Sequence, residues 1–159
     1  MLLLIGYGNP LRGDDGLGPY LAERLEQGWE VLTPLQLMPE LAEPISRASR
    51  VVFIDARVGE NAGEVICELV MPQASTPPAF THNATPKSLL YSAQNLYGYA
   101  PPAMLITIAG ASFEFDIYFS PEIDAALPQI ISTVKQALDK FMAANGAGAT
   151  KADVALAIS

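Results

Sequence analysis

The chain has 159 residues, half of them hydrophobic, with one cysteine, one histidine and a formal charge of −8. That length gives one domain with room for a substantial apolar core, and the negative charge argues against nucleic acid and anionic membranes, which demand clustered Lys and Arg, while favouring a partner with a basic contact surface. A lone Cys67 excludes an internal disulfide and a cysteine-cluster metal site; with no membrane-length apolar run and no basic-flanked leader, the expected compartment is the cytoplasm.

Leu2–Leu25, LLLIGYGNPLRGDDGLGPYLAERL, organises the rest. Leu2 to Ile5 is an apolar run of strand length. Gly6 and Gly8 mark a turn that needs unusual dihedrals or a close approach. Asn9-Pro10 prolongs that turn, because the residue before proline avoids the helical region. After Asp14 and Asp15, the residues Leu17, Tyr20, Leu21 and Leu25 share one helical face. A strand, glycine loop, acidic pair and helix place two carboxylates at the carboxyl edge of a sheet, where open α/β folds bind their ligands.

Three readings of this stretch compete. A dinucleotide turn lacks its third glycine, since Leu11 occupies that position, and two aspartates would repel a pyrophosphate. A structural reading has one aspartate accepting hydrogen bonds from the free donors of the helix start. The third leaves one aspartate available for a metal or for acid–base work.

Further along, Trp29–Leu35 reads as a second strand ending near Pro34, and Pro39 to Ala48 as a helix bent or restarted at Pro44. Val51–Ile54 is a buried strand that runs into Asp55-Ala56, and Glu64–Val70 is an alternating strand carrying Cys67 as a small buried hydrophobe. Met71 to Thr85 is a Pro/Ser/Thr-rich loop containing His82. Pro86 opens a helix to Tyr97 that Gly98 stops. Ala103–Ala109 is another buried strand, FEFDIYF a loop or short edge strand, and Pro121–Phe141 a long helix. The pattern is α/β: a three-layer α/β/α domain on a five-stranded, mostly parallel twisted sheet, spanning residues 1–142, with a small-residue tail at 143–159.

An aspartate after a strand commonly caps the next turn, and a lone histidine in a polar loop is commonly a solvated surface residue. Parallel strands of one sheet, however, present their carboxyl ends on the same side, so Asp15 and Asp55 face a shared crevice. Two carboxylates and one imidazole make a ligand set with open positions, suited to borderline divalent metals.

The opening string, with Gly6, Gly8, Asn9, Asp14, Asp15 and Gly16 in place, resembles that of the hydrogenase maturation endopeptidases, which trim the large subunit of nickel–iron hydrogenases. THNATPKSLLYSAQNLYG and ASFEFDIYFSPEIDAALP resemble later blocks of that family, so the likeness extends over about residues 2–140. It departs at Asp116, where the family pattern has glycine, and in TPLQLMPEL, which resembles the branch serving soluble NAD-linked hydrogenases. The resemblance implies a phosphorylase/hydrolase-like fold and an endopeptidase that acts as a monomer. It would remove a C-terminal extension from a nickel-loaded hydrogenase large-subunit precursor. It implies that Asp15, Asp55 and His82 contact nickel that the substrate carries, rather than a resident ion. Two rivals are a nucleotide or nucleoside enzyme with Arg12 on a phosphate, and a nickel-sensing, chaperone-like binding module. No serine or cysteine nucleophile motif and no zincin helix is present.

Overall fold

The computed structural model describes residues 1–74 and 84–144. His82 and the tail from Asn145 therefore lie outside the described residues. Five strands form one sheet: β1 (Leu2–Gly6), β2 (Glu30–Leu32), β3 (Arg50–Val58), β4 (Val65–Val70) and β5 (Ala103–Gly110). Their order is β2-β1-β3-β5-β4. All pairings are parallel except β4 on β5, which is antiparallel.

Strand alternation builds two cores. Leu4, Val52, Ile54, Met104, Ile106 and Ile108 point to the face covered by α1 (Leu17–Arg24) and α4 (Pro121–Ala143). Leu3, Ile5, Val51, Phe53 and Ala103 point to the other, covered by α2 (Ala42–Arg47) and α3 (Pro86–Tyr97). The central strands are buried on both faces, which explains why they read as unbroken apolar runs. The three layers and the five-stranded, mostly parallel sheet match the expected architecture. No helix among the described residues is long and apolar enough to cross a membrane.

Several elements differ from the sequence reading. The second strand is only Glu30–Leu32, and Pro34 lies beyond it with its carbonyl accepting from the Gly8 amide at 3.3 Å. The expected helix from Pro39 divides into a short 3₁₀ turn, Pro39–Leu41, and α2. Pro44 falls in the first turn of α2, where its missing N–H leaves no intrahelical acceptor unpaired. Cys67 is half-buried rather than buried, because it sits on the edge strand β4 and only its inward side meets the core.

FEFDIYF is a loop held by one bridge between Arg12 and Asp116. Asp116 closes its turn without glycine: its Oδ1 accepts from the Tyr118 amide at 3.0 Å, and no described non-glycine residue has a positive φ. At the opposite edge, the buried Arg50 donates from Nη1 to the carbonyls of Phe141 at 2.9 Å and Met142 at 3.1 Å. It thereby pairs the free carbonyls at the end of α4 and ties that helix to the start of β3.

Candidate active site at the carboxyl edge of the sheet

The sheet has a step at its carboxyl edge. β1 stops at Gly6, opposite Ile54, whereas β3 runs on beside β5 to the pair Val58–Gly110. Asp55 is therefore inside a strand, paired with Thr107, and not at a strand end as its sequence context suggests. Toward β1, however, its neighbour has already left the ladder, so the carboxylate stands at the step. The Tyr7 amide donates to the Ile54 carbonyl at 3.1 Å, which sets Tyr7 beside Asp55 on the same face of the sheet.

Beyond Tyr7 the chain folds back tightly. Gly8 has φ +139°, and a Cβ there would stand 2.1 Å from the Asp15 carbonyl oxygen. Only glycine fits both demands. Gly6 has a different reason: a Cβ would meet the Gly18 carbonyl at 2.1 Å, so Gly6 and Gly18 let α1 lie directly on β1. The loop is clasped by Asp15, whose Oδ2 accepts from the Asn9 amide at 2.7 Å, while Asn9 Oδ1 accepts from the Leu11 amide at 2.9 Å.

The two adjacent aspartates have separate environments, and neither caps a helix. Asp14 is buried and accepts from the amides of Ala111 at 2.7 Å, Ser112 at 3.0 Å and Ser120 at 2.8 Å, and from the Ser120 hydroxyl at 2.7 Å. Burial alone would raise its carboxyl, but the hydrogen bonds from Ser120, Ser112 and Ala111 prevail and hold it below the usual carboxylate range. Asp14 thus pins the glycine loop to the segment between β5 and α4.

Asp15 lies near enough to Asp55 for its charge to act there. Burial pushes the Asp55 carboxyl up to about 6, a hydrogen bond from the Tyr7 phenol and the Ala56 amide opposes that rise, and the Asp15 charge adds to it. Tyr7 is driven upward in turn by burial and by the Asp55 charge, so its phenol stays protonated as a donor. The charge of Asp15 adds to the cost of ionising Asp55, and a cation beside the two carboxylates would offset that cost, which fits their donor set to a divalent metal. Among the described residues no group of three or more His, Cys, Asp and Glu side chains is assembled. The third predicted member, His82, lies outside them; Ala84 donates its amide to the Leu37 carbonyl at 3.3 Å.

Sequence reasoning missed Tyr7 and Ser120. Tyr7 had a usable signal, because it stands two residues after the buried Ile5 and so on the same sheet face. Ser120 had none short of the tertiary fold. Arg12 donates from Nε to the Phe113 carbonyl at 3.3 Å, an anchoring role that gives the nucleotide reading no support.

Fold and site define an α/β/α domain with Asp15 and Asp55 at the carboxyl edge of its parallel strands. No protein-family model and no curated protein matches the chain by sequence. Solved structures do. The hydrogenase maturating endopeptidase HybD from E. coli superposes with a TM-score of 0.65 at 25% identity, over 87% of this chain and 92% of that one. The NiFe hydrogenase maturation protease HycI from Thermococcus kodakarensis KOD1 does so with a TM-score of 0.62 at 26% identity, again over 87% and 92%. The endopeptidase HycI from Escherichia coli shares the fold, with a TM-score of 0.62 at 24% identity over 89% and 91%. By fold and by this level of identity, the chain is similar to the hydrogenase maturation proteases over most of its length.

Proposed function

We propose that this chain is an endopeptidase that removes a C-terminal extension from the nickel-loaded precursor of a nickel–iron hydrogenase large subunit. The observation that carries the reading is Asp55 with the charge of Asp15 acting on it, at the carboxyl edge of a fold shared with maturation proteases over 87% of this chain. In this reading Asp15, Asp55 and His82 contact nickel that arrives with the substrate. The contact tests whether the metal is loaded and sets the scissile bond at the crevice. Tyr7 holds Asp55 in place and leaves its remaining lone pairs for the metal. Hydrolysis needs an activated water, which nickel or an ionised carboxylate supplies. The activity is of a metal-dependent, acidic-residue type and belongs in the cytoplasm, where the precursor would be assembled.

Intact-mass measurement of a co-expressed large-subunit precursor tests this. Loss of a C-terminal peptide is the expected result. A precursor that is bound but never shortened would instead make the chain a chaperone-like binding module.

A further inference from the structure

Next to Asp15, Gly16 and Pro10 form one wall of a groove of about 350 Å³ that continues past Tyr20 to Ile117, Tyr118 and Phe119. Its floor is firm: the Tyr20 and Phe119 rings meet edge to face at 5.2 Å between centroids. Its outer ridge is apolar and unusually open, with Phe115 85%, Ile117 69% and Tyr118 71% exposed. Such side chains in a loose loop would fold inward. Here the backbone forbids it, because the Gly13 amide donates to the Asp116 carbonyl at 2.9 Å and the Asp116 amide to the Leu11 carbonyl at 3.0 Å. The loop is therefore tied to the segment that carries Asp14 and Asp15, and it presents its aromatic residues at a fixed height beside the crevice. An exposed apolar patch held in this way is a docking surface.

Charge identifies the occupant. Glu23, Glu114, Asp116, Glu122 and Asp124 are all exposed around the groove and its ridge. Among the described residues, two guanidinium groups lie near them, and both are engaged, Arg12 with the Phe113 carbonyl and Arg24 over the Tyr20 ring. The rim is net acidic. A second copy of this chain would bring the same rim against itself, and an anionic lipid surface would be repelled. We infer that the groove receives a segment of the precursor polypeptide in which an apolar side chain is flanked by lysine or arginine. The apolar side chain fills the space between Tyr20 and Tyr118, and the basic flanks meet Glu23 and Asp124. This rests on the proposed peptidase reading and adds to it a binding surface separate from the metal-contacting trio, one that sets affinity rather than the hydrolytic step.

The test measures binding and cutting separately, with the full chain and a purified nickel-loaded large-subunit precursor from the same organism. Two variants are compared with wild type: Ile117→Ser with Tyr118→Ser, and Glu23→Lys with Asp124→Lys. The serine pair removes exposed side chains and should fold normally by circular dichroism; if it does not, the charge-reversal pair decides. Expected is a loss of at least tenfold in precursor affinity for both, a matching rise in KM, and kcat within about twofold of wild type. The charge-reversal loss should shrink at high salt. Unchanged affinity and KM in both variants would overturn the inference, as would a shift from dimer to monomer with unchanged KM, which would make a second copy the occupant. If wild type binds the precursor without cutting it, the peptidase reading fails and the affinity comparison still decides this one. If wild type neither binds nor cuts, both fall.

Discussion

Asp14 and Asp15 are adjacent in the chain and opposite in role: Asp14 accepts four hydrogen bonds from Ala111, Ser112 and Ser120, while Asp15 accepts the Asn9 amide and adds its charge to Asp55. Asp14 therefore ties the loop to the segment between β5 and α4, while Asp15 closes the loop on itself and acts on Asp55. The difference is testable. Asp14→Asn places an amide donor among backbone donors and should lower stability by about 2–3 kcal/mol, with Asp15→Asn close to neutral in denaturant melts near pH 7. Because the Asp14 carboxyl is held low in the folded protein, its contribution is present above the unfolded value and is lost as pH falls through the folded one. The gap between wild type and Asp14→Asn should accordingly close in strong acid. Equal stability of the two single variants at neutral pH would contradict the division of roles.

Asp55 has the opposite sign. Its carboxyl is raised to about 6 from an ordinary 3.8, so the folded state binds the proton more readily than the unfolded chain does. The cost of the buried charge is fully present above about pH 6 and disappears as pH falls toward the unfolded value. Asp55→Asn should therefore be more stable than wild type at pH 7.5, by roughly 2 kcal/mol after allowance for solvent screening, and the two should converge near pH 4. Processing by wild type should fall as pH drops through about 6, because the neutral carboxyl is a poor metal contact. Tyr7→Phe removes the hydrogen bond that opposes the rise and should move that midpoint upward. A midpoint unchanged in Tyr7→Phe would remove Tyr7 from the site.

Much of the architecture can be read wherever an apolar period is unbroken. Thr85-Pro86 and Gly98 bracket α3 in sequence and in space, with the Thr85–Ser88 capping box at one end and Gly98 at φ +83° at the other. The continuation of β3 was not legible, because Asp55 and Arg57 interrupt the hydrophobic run. The strand continues because β5 offers a partner and because Arg57 donates to the carbonyl and hydroxyl of Thr107 at 2.7 and 2.9 Å. The candidate site was legible as residue types and spacing, since parallel strands deliver their ends to one edge. Why Asp14 is the buried member of the acidic pair was not. That choice is made by Ser112 and Ser120, 98 and 106 residues from Asp14, and nothing local to the acidic pair encodes it.

Metal affinity of the isolated protein gives a third prediction. In the proposed reading, two carboxylates and an imidazole without a thiolate would be an incomplete shell for nickel, and the precursor would supply the rest. Calorimetric titration with nickel(II) should show binding no tighter than roughly micromolar, lost in Asp15→Asn and in Asp55→Asn. Tight, stoichiometric binding by the protein alone would make the ion a resident cofactor and not part of the substrate.

The loop geometry makes a fourth. Gly8 adopts φ +139° with the Asp15 carbonyl against its missing Cβ, so Gly8→Ala must move either the loop or Asp15. Its expected effect is a loss of processing of at least tenfold, accompanied by a lower melting temperature; normal activity would show that Asp15 needs no fixed position.

The most direct measurement is intact mass spectrometry of the precursor, prepared with and without nickel and incubated with wild type or with Asp55→Asn, whose fold is verified by circular dichroism. The account predicts that wild type shortens only the nickel-loaded precursor and that Asp55→Asn shortens neither. Efficient trimming of the metal-free precursor, or full activity of Asp55→Asn, would contradict recognition of substrate-borne nickel by the Asp15–Asp55 crevice.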